Sequence, residues 1–173
     1  MKRITIIFLC LGIAIVAATG ASAKSRRTSK IDGAKAEKMV SDFYFKYWNL
    51  SLAGNESQLK ILCKQNCTSK FYKQWLKERS FKEHDVWDIV LDIADCSVAE
   101  GYVSNITSVK YAGDNKVKVC YVVAHRSDNT NLNCECLVVL TVVGGKYKIS
   151  NNLQKSTYDG KYYSVMYHHC GKN

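Results

Sequence analysis

The last residues of the chain read "YYSVMYHHCGKN", and His168, His169 and Cys170 join imidazole nitrogen to thiol sulfur, both of them zinc-ligand types. A second thiol pair stands in "CEC", where Cys134 and Cys136 flank Glu135. On a strand, alternation sends both thiols to one sheet face. The spacing from Cys136 to His168 fits no compact zinc module. Acid–base chemistry has two further starting points, His84 beside Asp85 and His125 near Asp128. An imidazole titrates near neutrality, and a neighbouring carboxylate can fix its tautomer. Asp85, Asp88, Asp92 and Asp95 recur at helical spacing but lack the alternating D-x-[DN]-x-[DN]-G order of a calcium loop. They read as the acidic outer face of a short helix. No Gly-rich phosphate loop, HExxH, C-x-x-C or nucleophile-elbow serine occurs.

Which chemistry applies depends on the compartment. "MKRITIIFLCLGIAIVAATGASAKS" has a basic start, an apolar run and an A-x-A exit at Ala21–Ala23, the parts of a cleaved secretory signal over residues 1–23. The expected location is secreted or periplasmic, with no membrane span left after cleavage. Of eight cysteines, Cys10 leaves with the leader. The remaining seven (Cys63, Cys67, Cys96, Cys120, Cys134, Cys136, Cys170) are then expected to form disulfides, with one left over. Pairing stays open. The simplest arrangement joins Cys120 to Cys136 across two central strands and Cys134 to Cys170, leaving one bridge among Cys63, Cys67 and Cys96. The terminal "HHC" is then the stapled end of a tail, and zinc held by His168, His169 and Cys170 is the secondary reading. No cofactor is expected.

Residues 24–33 are basic and aperiodic and read as a disordered lead-in. From Ala34, Val40, Phe43, Tyr47 and Leu50 form one helical stripe, with Tyr44, Trp48 and Leu52 beside it. A second helical region, 57–80, restarts at Thr68, a good N-cap. It points Phe71, Tyr72, Trp75 and Leu76 inward and Lys70, Lys73 and Lys77 outward. After Cys96, "NITSVKY", "KVKVCYVVAH", "CECLVVLTVVG" and "KYKISNN" are β-branched segments, the first and last pairs joined by hairpin-length turns and the central two by a longer polar loop, "HRSDNTNLN". Helices followed by about four antiparallel strands make the domain, residues 34–153, α+β. Residues 154–173 form a Tyr-rich tail, expected to be tethered by a disulfide.

The aromatic "DFYFKYWNL" helix, "TSKFYKQWLKER", the acidic segment ending at Asp95 and the meander together resemble the NTF2-like (cystatin-like α+β) superfamily, in a secreted or periplasmic bacterial branch. The resemblance implies a curved sheet wrapped around the first helix, with Tyr44, Trp48, Trp87 and Tyr121 at a ligand pocket. It also implies that His84 or His125 with an acid could transfer protons there. The expected function is non-catalytic binding of a small ligand or a protein. The alternatives are a pocket enzyme and a periplasmic immunity-type protein that blocks a toxin. The mature chain carries 23 basic residues against 15 acidic ones once Lys2 and Arg3 are removed. That excess suits weak contact with anionic envelope components and not specific nucleic-acid recognition.

Overall fold

The computed structural model describes residues 31–80, 90–91, 101–125, 130–156 and 158–165. The leader, Cys96, Asp128 and the terminal His168, His169 and Cys170 lie outside the described residues, as do His84, Asp85 and Trp87. Three helices pack against an open antiparallel sheet: α1 (Gly33–Leu52), α2 (Glu56–Asn66) and α3 (Ser69–Ser80). The strands β1 (Gly101–Gly113), β2 (Lys116–His125), β3 (Asn131–Val143), β4 (Lys146–Lys155) and β5 (Tyr162–Ser164) follow one another in the sheet in chain order. The α+β class agrees with the sequence, and where about four strands were expected the described residues form a five-stranded sheet. The fifth comes from the tail, where Tyr162 pairs with Lys155 and Ser164 with Leu153.

The helices begin where side chains can satisfy their open N–H groups. Asp32 caps α1 by accepting from the backbone of Ala34 and Lys35, at 3.1 and 3.2 Å. Asn55 caps α2 through Gln58 N–H. Cys67 leaves the helix in an extended conformation, and Thr68 N–H donates to Ile149 O at 2.8 Å. The Thr68 hydroxyl then accepts from Phe71 N–H, so the restart lies where the sequence placed it. This break stitches α2 and α3 to β4. Residues 90–91 form a bend where the sequence suggested a helix, and both side chains are buried.

The hairpins follow from local chemistry. Asp114–Asn115 and Gly144–Gly145 have positive φ at both central positions, as a two-residue type I′ turn requires. Register shifts at three places in the β1–β2 pairing mark bulges, which bend and twist an edge strand. Trp48 Nε1–H donates to Val103 O at 2.9 Å and the Glu37 carboxylate accepts from Tyr111 N–H at 2.7 Å, fixing α1 to that edge.

Strand alternation sorts the sheet into two faces. Val117, Val119, Tyr121 and Val123 on β2 and Cys134, Cys136, Val138 and Leu140 on β3 are all buried. Against them lie Val40, Phe43, Tyr44 and Tyr47 of α1 and Phe71 and Trp75 of α3. Each such large side chain contributes about 1.5–3 kcal/mol by leaving water. A polar thread runs through the helical side: Trp75 Nε1–H donates to the Tyr47 hydroxyl at 2.8 Å, and the Arg79 guanidinium lies over the Trp75 ring. Arg79 also pairs with Glu56, whose carboxyl it holds below the usual carboxylate range chiefly by its hydrogen bond. Among the described residues no helix is long and apolar enough to cross a membrane.

Candidate functional site

The second face of the sheet carries the polar chemistry. Ser108 of β1 stands opposite Cys120 of β2, and Cys120 opposite Glu135 of β3. One place beyond the Cys136–Gln154 pair, Glu135 meets Lys155 of β4, which in turn pairs with Tyr162 of β5. A transverse row of Ser108, Cys120, Glu135, Lys155 and Tyr162 therefore crosses all five strands. Glu135 is its centre. The Tyr162 hydroxyl donates to Glu135 Oε1, Lys155 Nζ lies 3.7 Å from the same oxygen, and Lys118 Nζ lies 3.5 Å from Oε2. The Cys120 thiol donates to Oε2 at 3.9 Å. The Lys155 ammonium also sits over the Tyr162 ring, 5.9 Å from its centroid.

Cys120, Glu135 and Lys155 of this row border a depression of about 510 Å³, together with Thr107, Asn133 and Ser156 among others. Its far wall is the turn after β4. There the Ser156 hydroxyl accepts from Tyr158 and Asp159 N–H, and the Asp159 carboxylate accepts from the Tyr163 hydroxyl at 2.5 Å. That bond lowers the Asp159 carboxyl and raises the Tyr163 phenol. Burial, then the adjacent Glu135 charge, raises the Cys120 thiol, outweighing the opposite pull of Lys118 and the Ser108 hydrogen bond. Cys120 is therefore held as a neutral thiol, a poor nucleophile. The arrangement can hold and orient a polar ligand.

The predicted aromatic pocket is not brought together. Tyr44 and Tyr121 are each 1 % exposed and belong to the core. The Tyr44 hydroxyl contacts Cys136 Sγ at 3.7 Å, and burial first, then Cys136, raises its pKa well above the ordinary phenol value. Tyr121 exchanges hydrogen bonds with Gln154. Tyr121 and Cys134 also border the outer depression, though both are buried. Trp48 is half-buried with its N–H committed to Val103, and Trp87 lies outside the described residues. His125 ends β2; its side chain is not among those described.

The crosslink proposed across the central strands is also corrected. Cys136 stands opposite Val119 and Cys120 opposite Glu135, so the two thiols point to opposite faces of the sheet. No disulfide joins any two of the five described cysteines, Cys63, Cys67, Cys120, Cys134 and Cys136. Bridges to Cys96 or Cys170 fall outside the described residues, as does the zinc set at the C-terminus. Among the described residues no group of three or more His, Cys, Asp or Glu is placed to hold a metal.

A second depression, of about 360 Å³, lies between α1 and α2 over Met39, Phe43 and Leu62. Lys35, Lys38 and Lys46 edge it, and Lys38 is already paired with Asp42 at 2.8 Å. Neither depression is bordered by Tyr44 or Trp48.

Sequence reasoning missed Glu135, Lys118, Lys155 and Tyr162 as a unit. The signal available was parity: if both cysteines of "CEC" point inward, Glu135 must point outward. Nothing local in the sequence signals that Tyr162 returns to meet it.

No protein-family model matches the chain, and comparison with curated proteins gives no match. The fold is similar to the crystal structure of a protein of unknown function from Bacteroides thetaiotaomicron VPI-5482. The TM-score is 0.54 at 17 % identity, over 69 % of this chain and 89 % of that one. At that identity the likeness bears on the fold alone.

Proposed function

We propose that this chain is an exported, non-catalytic binding domain of the NTF2-like (cystatin-like α+β) type. Its ligand contact is the depression on the outer face of the sheet, and the aromatic helix face serves as core. The observation that carries this reading is the half-buried Glu135, held at once by Tyr162, Lys118 and Lys155 inside a concave polar surface. A group so heavily partnered orients its neighbours. A neutral Cys120 beside it points the same way. Export is supported by the leader-like residues 1–23.

The test is a screen of small polar compounds followed by backbone amide NMR. Binders should shift Thr107, Asn133 and Ser156, leave Tyr44 and Trp48 unmoved, and be recovered chemically unchanged. A ligand returned hydrolysed or rearranged, or one whose shifts centre on α1, would overturn the reading. Export is checked separately: the protein recovered outside the cytoplasm should begin at Lys24, and a chain retaining Met1 would refute cleavage.

A further inference from the structure

We draw no further inference here: the strongest candidate, the half-buried apolar strip that Leu137 and Val139 of β3 and Leu153 of β4 form on the outer face of the sheet, carries nothing because nothing among the described residues shows what covers it.

Discussion

The two faces of this sheet use the same residue types for opposite ends. On the inner face tyrosine and cysteine are structural: Tyr44, Tyr121, Cys134 and Cys136 are buried among valines and the aromatic side chains of α1. On the outer face Tyr162 and Cys120 surround Glu135 beside two lysines and remain open to solvent. Residue type therefore says little here about role, and strand parity says nearly everything. A hydroxyl on the inner face must find a protein partner, as Tyr121 finds Gln154, because burial without one is costly. A hydroxyl on the outer face can exchange its partner for a ligand at small cost.

The strongest way to break this contrast is to empty the inner side. Tyr47 is fully buried, tilts against Phe43 and accepts from the Trp75 indole at 2.8 Å. Tyr47→Ala should destabilise the protein by about 3–5 kcal/mol, measured by urea unfolding. A loss below about 1 kcal/mol would mean that the helical layer is not packed as described.

A sharper comparison removes one hydroxyl from each face. Tyr121→Phe strips the partner from Gln154, itself only 5 % exposed, and should cost about 1–3 kcal/mol. Tyr162→Phe removes a bond to a carboxylate that keeps two lysines and access to water, and should cost about 0–1 kcal/mol. Equal losses would erase the distinction between the faces.

Much of the fold was legible because its signals are local. The aromatic stripe of α1, the Thr68 restart and the two hairpin turns each depend on residues within four or five positions of one another. The cap at Asp32 was missed and the start of α1 placed one residue late, at Ala34, because the basic lead-in hides it, although Asp before a helical stripe is a known start signal. The outer cluster and β5 were illegible for a different reason. Register between β2 and β3 is set across a polar connection, "HRSDNTNLN", whose length fixes no turn type, and a one-residue slip moves every side chain to the other face. That slip separates an imagined Cys120–Cys136 bridge from the observed Cys120–Glu135 contact. The approach of Tyr162 to Glu135 spans 27 positions and has no periodic signature.

Thiol labelling gives the smallest and most specific effect. Cys120 is half-buried in the depression, whereas Cys63, Cys67, Cys134 and Cys136 are buried, so of these five the native fold should present Cys120 first to an alkylating reagent. Its rate at pH 8 should be low, because burial and then Glu135 push the thiol up, and the thiolate is the reacting species. The rate should climb as pH passes the raised value. Glu135→Gln removes the second of those causes while Lys118 continues to favour the thiolate, so labelling at pH 8 should quicken a few-fold. At higher pH, where both proteins are fully ionised, the two rates should converge. Stability should change by no more than about 1 kcal/mol, since a partly exposed ion pair contributes little. A variant that labels no faster at pH 8 would remove Glu135 from the neighbourhood of Cys120. Simultaneous labelling of all five cysteines in the native protein would instead open the inner face and dissolve the contrast between the two sides.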